Sequence, residues 1–186
     1  MRPTTLTLLA TWPLAALASE PSIDPDTGLA SWQTETAGMQ VRLTQISPDQ
    51  IRGFYLARGF SPEATERYAR ECVFMTVVRN IGDTPILHRL ANWRYATAGQ
   101  PPRAIRGKAA WDHLWKRLRV SESARIAFTW AQFPTTQTFA PGDWNQGMTS
   151  YSVPRGGQFD LSFVWQAGGK THSGKLEQIR CADEAS

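Results

Sequence analysis

From Gln158 to Trp165 the chain alternates, with Phe159, Leu161, Phe163 and Trp165 apolar and Gln158, Asp160 and Ser162 polar between them. Side chains of an extended strand point to opposite faces with a period of two, so this stretch reads as a half-buried strand. Gly168-Gly169 supplies a turn, and a return strand from Thr171 carries Leu176 and Ile179 toward the core and ends at Cys181. The same alternation predicts a first strand over 39–46, where Met39, Val41 and Leu43 interleave with Gln40, Arg42 and Thr44. It predicts another over 125–133, with Ile126, Phe128 and Trp130 inward against Ala127, Thr129 and Ala131. Cys72–Val78 has the β-branched and aromatic content of a central strand, and pairing with the extended stretch Ile86–Tyr95 would make a hairpin. Met148–Val153 re-enters the sheet before Pro154-Arg155-Gly156-Gly157 turns into the last hairpin.

Three segments follow the helical period instead. Ser47-Pro48-Asp49-Gln50 places Ser at the N-cap, Pro at the first helical position and Gln where a capping box needs it, and Gly59 stops the helix. Ser61-Pro62-Glu63 starts a second, because Pro62 cannot sit inside one long helix without a lost hydrogen bond and a clash. Over 108–119, Trp111, Leu114, Trp115 and Leu118 form one apolar stripe. Residues 19–38 are punctuated by Pro and Gly and read as an irregular lead-in, 97–107 as a loop stiffened by Pro101-Pro102, and 183–186 as a tail. The fold class expected is mainly β: an antiparallel β-sandwich, immunoglobulin-like or similar, forming a single domain over 39–182 with two or three short helices inserted.

The N-terminus changes the setting. Met1-Arg2 is followed by a leucine-rich run and by Ala16-Leu17-Ala18, the pattern of a secretory leader over 1–18 cleaved after Ala18. The run is short and broken by Pro13, which argues against a transmembrane anchor, and the destination expected is the periplasm. In an oxidising compartment the chain's two cysteines, Cys72 and Cys181, are expected to pair as a disulfide. Formal net charge is +4, and export makes nucleic acid an improper partner for that excess. Arg103, Arg106, Lys108, Lys116, Arg117 and Arg119 cluster around the Trp-bearing helix, so Trp111 and Trp115 are candidate partner-binding residues and peripheral membrane contact is an alternative.

Candidate chemistry is sparse. The three histidines fall in no His-x-x-x-His or His-Glu-x-x-His pattern, no Gly-x-Ser-x-Gly elbow is present, and Arg155-Gly156-Gly157 lacks the lysine of a phosphate loop. Asp143 and Asp160 are available to glycoside hydrolysis, but their spacing does not pair them. Copper is the one cofactor candidate, with imidazole from His88 and His172 and thioether from Met75 and Met148, Met39 being a further methionine in reach of such a site. Within Gly142–Gly147, Asp143, Trp144 and Asn145 combine an aromatic plate with polar groups, an arrangement that can hold a sugar or a peptide. The function expected is that of an exported, soluble accessory or interaction protein without catalytic activity, its partner another exported protein. A periplasmic copper or small-ligand carrier is the alternative, and an uncharacterised hydrolase the third reading.

Overall fold

The structure is a computed structural model that describes residues 20–184; the expected leader over 1–18 and the end of the expected tail lie outside the described residues. In chain order the elements are β1 (Ser22–Ile23), β2 (Ala30–Thr36), β3 (Met39–Gln45), α1 (Pro48–Leu56), α2 (Pro62–Ala69) and β4 (Cys72–Asn80). They continue with β5 (Ile86–Arg89), β6 (Arg94–Ala96), β7 (Arg103–Ala104), α3 (Lys108–Arg117), α4 (Glu122–Ala131), β8 (Thr136–Phe139), β9 (Trp144–Tyr151), β10 (Gln158–Ala167) and β11 (Lys170–Arg180).

Two antiparallel sheets result. The first runs β1-β2-β3-β4-β9. In the second, β11 pairs along the whole of β10, so the remaining edge of β10 is shared: β6 pairs at Asp160–Ser162 and β5 at Trp165–Ala167. A 3-10 turn at Leu90–Asn92 separates those two pieces, β8 continues the sheet beyond β5, and β7 beyond β6. The sheets face one another over Trp32, Val41, Leu43, Phe74 and Val78 from the first and Phe139, Phe159, Leu161, Phe163 and Trp165 from the second, which makes the sandwich. The expected mainly-β fold with antiparallel sheets is therefore the fold observed.

Leu176 and Ile179 both reach this core although three positions separate them, which a regular strand forbids. Pairing shifts between Phe159↔Ile179 and Leu161↔Leu176, and Gln178 takes φ 54° with its N–H donated to the Asp160 carboxylate at 2.9 Å. This bulge absorbs the odd residue and returns both aliphatic side chains to one face.

The helices form a third layer on the outer face of the first sheet. Ser47 accepts from Gln50 N and its own N–H donates to the Gln50 side chain, so the capping box forms as read, and Ser61 caps α2 through Ala64 N. Tyr55, Phe60 and Tyr68 of this first pair meet Trp111, Trp115 and Phe128 of the second over Val73 and Met148. Trp111 and Trp115 stack with centroids 5.1 Å apart, and each buried ring contributes about 2–3 kcal/mol. Gln132 satisfies the two phenols here: its amide donates to Tyr55 Oη and accepts from Tyr68 Oη, both at 3.1 Å. Burial pushes both phenols far above their ordinary pKa, so they stay protonated.

Four expectations require correction. The stretch 125–133 is helical, not a strand: Ser121 Oγ caps α4 through Ala124 N, and Ala124 and Phe128, one turn apart, are its buried residues. Ile126 and Trp130, placed inward by the alternation, are 51% and 84% exposed. Four helices, rather than two or three, are therefore present among the described residues. The lead-in is not irregular throughout: Ser22–Ile23 pairs with Ala30–Ser31 as a short edge strand, Asp24 closes the turn between them through Asp26 N and Thr27 N, and Ala30 and Trp32 alternate inward as β2 joins the sheet. Finally, β4 and β5 do not form a hairpin. Asn80, fully buried, donates to Thr84 O and Phe139 O and accepts from Gly82 N, turning the chain out of the first sheet into the second.

Candidate functional site

The helical layer covers only one end of the first sheet's outer face, above Val73, Met75, Met148 and Ser150. At the other end the outward side chains are open. Strand register sets them in two rows: Glu35, Gln40, Arg79 and Trp144 in one, and Gln33, Arg42, Val77 and Gln146 in the next. Directly opposed residues of antiparallel strands share a face, so the eight side chains form one surface. Gln40, Arg42, Val77, Arg79, Trp144 and Gln146 line a depression of about 300 Å³ on it.

Trp144 is 58% exposed, yet its backbone is fixed. Asn80 N donates to Asp143 O at 2.9 Å and Gly142 N to Asn80 O at 3.0 Å, while the Asp143 carboxylate accepts from Ala140 N and closes the turn that precedes β9. Gly142 adopts φ 84° within that turn, a conformation that favours glycine. Only Trp144 of the three residues expected around this loop reaches the open face. Asp143 is a turn residue, and Asn145 points to the other side of β9, where its Nδ2 donates to Gln137 of β8 at 2.7 Å.

Two arginines line the same depression as the indole. Arg79 lies opposite Trp144, and Arg42 is a diagonal neighbour of Arg79, about 7–8 Å away at the backbone. Among the described residues neither has an ion-pair partner, a state they share with Arg58, Arg67, Arg89, Arg94, Arg103, Arg117 and Arg119; what distinguishes them is that both line the same depression as the exposed indole. Glu35, the acid of this surface, is occupied by the Gln40 amide at 2.6 Å and the Gln33 amide at 3.3 Å. Such a surface offers an aromatic plate, two cations and amide groups: it can bind, and it presents no nucleophile with an adjacent base. Sequence reading reached Trp144 from its glycine-bounded loop but missed Arg42, Arg79, Gln40 and Gln146, which only the register brings to it.

The other candidates are dispersed. His88 and His172 both pair opposite Trp165, from β5 and β11, so two strand spacings, about 9.5 Å, and an indole lie between them. His88 is fully buried with Nε2 at 3.1 Å from Pro134 O, and His172 stacks on Trp165. Met75 and Met148 pair with each other in the first sheet and face the helices, while Met39 lies in the sandwich core. The expected His/Met copper set is thus split between two sheets, and no group of three His, Cys, Asp or Glu side chains gathers among the described residues.

Trp111 and Trp115 are wholly buried, the former donating Nε1–H to Ser150 Oγ at 3.1 Å. They hold α3 to the sheet and cannot enter a membrane or a partner. Half of the basic cluster is engaged within the fold: Arg103 stacks on Tyr95, Arg106 lies over Trp111 and near Glu71, and Lys116 pairs with Asp112 at 2.8 Å, while Lys108, Arg117 and Arg119 make no ion pair among the described residues. Asp160 is bound to Gln178 N and Lys175 on the second sheet, remote in the fold from the Asp143 turn, so the two acids make no catalytic pair. A groove of about 370 Å³ between α2 and α3 is lined by Glu63, Glu66, Arg67, Arg70, Leu114 and Leu118. There Arg52, then Arg70, hold the Glu66 carboxyl below the usual range, as expected of an ion-paired surface.

Cys72 and Cys181 are joined by a disulfide with Cα atoms 5.3 Å apart, linking β4 of the first sheet to the end of β11 in the second. No helix among the described residues is long and apolar enough to cross a membrane. Comparison of the chain with models of known protein families, with curated proteins and with solved structures finds no match, so its functional reading rests on this geometry.

Proposed function

We propose that the protein is an exported accessory protein without catalytic activity, which works by holding another component of the periplasm against the open half of its first sheet. One observation carries this reading: an exposed indole on a rigid backbone shares one depression with two arginines that have no ion-pair partner among the described residues. Tryptophan and arginine are the side chains that most often dominate binding energy, because each combines a large contact area with directional hydrogen bonding. The disulfide supports export, since such bonds persist in oxidising compartments.

The test is site-specific photo-crosslinking in cells that export the full chain. A benzophenone side chain at Gln146 is expected to capture a discrete partner, and the Trp144→Ala change to abolish that capture. The same probe at Thr171, on the second sheet, serves as the control. Equal capture from both positions, or none from Gln146, would remove this face from consideration.

A further inference from the structure

The open half of the first sheet carries information about what it holds. We propose that its occupant is an acidic polysaccharide whose sugar rings bear carboxylates, an inference that rests on reading this face as the binding surface.

Charge narrows the choice first. Arg42 and Arg79 are diagonal neighbours on adjacent strands, and two like charges so placed repel unless an anion lies between them. Glu35, diagonal to Arg42 on β2 and hydrogen-bonded at one oxygen by Gln40 and Gln33, offsets one of these two charges and leaves the face with a net positive charge. A planar carboxylate accepts two parallel N–H bonds from a guanidinium fork, a match in both shape and charge. A second copy of this chain is disfavoured on the same ground: a two-fold pairing would bring together two faces that each carry two arginines against one glutamate.

The uncharged groups narrow it further. A lipid surface would need aliphatic side chains to enter the acyl region, and the depression offers one large apolar group, Trp144, with Val77 and the amides of Gln40 and Gln146 among its lining. A pyranose ring uses all three kinds of group at once. Its C–H face lies flat on the indole, its equatorial hydroxyls run sideways to the amides of Gln40 and Gln146, and a carboxylate on the same or the next ring reaches Arg79 or Arg42. The volume, about 300 Å³, is at the lower end of small-ligand sites and suits a short run of sugar rings crossing an open surface.

The experiment is isothermal titration of the purified exported protein with oligogalacturonate. Comparators are a neutral oligosaccharide of similar length, polyglutamate of matched charge and phosphatidylglycerol vesicles. Saturable binding of the uronate oligomer is expected, weakened by raised salt. Trp144→Ala and Arg79→Gln should each weaken it by about tenfold or more. Trp130→Ala, which removes an indole exposed on α4, should leave it unchanged; matching circular dichroism melts of all variants exclude misfolding. Polyglutamate or vesicles bound as tightly as the uronate, or a neutral sugar bound equally well, would overturn the acidic-glycan assignment. So would the absence of any glycan binding while photo-crosslinking at Gln146 persists, which leaves the interaction reading standing. Uronate binding that survives Trp144→Ala would place the site elsewhere and overturn both.

Discussion

Removing the Cys72–Cys181 bond gives the sharpest stability prediction. The bond spans 109 residues of sequence separation, so in the unfolded chain it closes a loop covering most of the described residues. Loop-closure entropy for about 100 residues corresponds to about 4.7 kcal/mol at 25 °C. Both cysteines are buried, 5% and 1% exposed, so replacing them with alanine adds a small packing loss in the folded state. The double variant Cys72→Ala/Cys181→Ala is therefore expected to lose about 5 kcal/mol. In urea, with a slope of about 2 kcal/mol per molar, the midpoint should fall by about 2 M, and the slope should rise as the denatured chain expands. Wild type equilibrated in urea with a reductant should show nearly the same fall. Two results would refute the reasoning: a loss below about 1 kcal/mol, or a loss in the double variant that reduction of wild type does not reproduce. The second would assign the effect to side-chain packing.

Other outcomes follow from single buried or crowded groups. Burial holds the His88 pKa at about 4, below its ordinary 6.5, so the unfolded chain binds a proton that the folded one does not. Stability is full above the ordinary value and falls as pH drops toward the lower one, by about 3 kcal/mol; urea titrations near neutrality and at about pH 5 should show the slope in wild type and not in His88→Gln. At Gly147, a Cβ would land on the backbone of Phe133 and Gln132, which cannot rotate away, so Gly147→Ala should cost at least about 1–3 kcal/mol in a chemical melt. A neutral result there would mean that the crossing segment yields. Trp111→Ala should cost about 3–5 kcal/mol, whereas Trp130→Ala should stay within about 0.5 kcal/mol, and similar values for the two would contradict their assigned burial.

What the sequence disclosed and withheld divides along local and non-local lines. The Ser-Pro starts of α1 and α2, the stripe of α3 and the alternation of β10 are local patterns, and each produced its element. The stretch of α4 satisfied two periods at once. Ile126, Phe128 and Trp130 alternate as a strand would, while Ser121, Ala124 and Phe128 supply a cap and one turn of a helical face. Packing decided, since Phe128 lies 5.1–5.3 Å from the rings of Tyr68, Trp115 and Tyr55. The partner of β4 was not legible either, because a turn governed by Asn80 does not announce which sheet the next strand joins. The candidate face combines both cases. Trp144 stood out in its loop, whereas Arg42 and Arg79 look like ordinary polar positions until three strands are placed side by side.

Strand β4, like its neighbour β9, lies between the two hydrophobic clusters. Phe74 and Val78 of β4 pack into the sandwich, Val73 and Met75 pack under the helices, and the seven residues Cys72–Val78 carry no charge. A substitution in that stretch has to satisfy the packing of one layer without disturbing the strand that the other leans on. Surface loops and the open sheet face are free of that double requirement and can diverge as partners change. Over evolutionary distance β4, with the cysteine that begins it, should therefore vary most slowly, and it is the segment by which remote kin of this chain would be recognised.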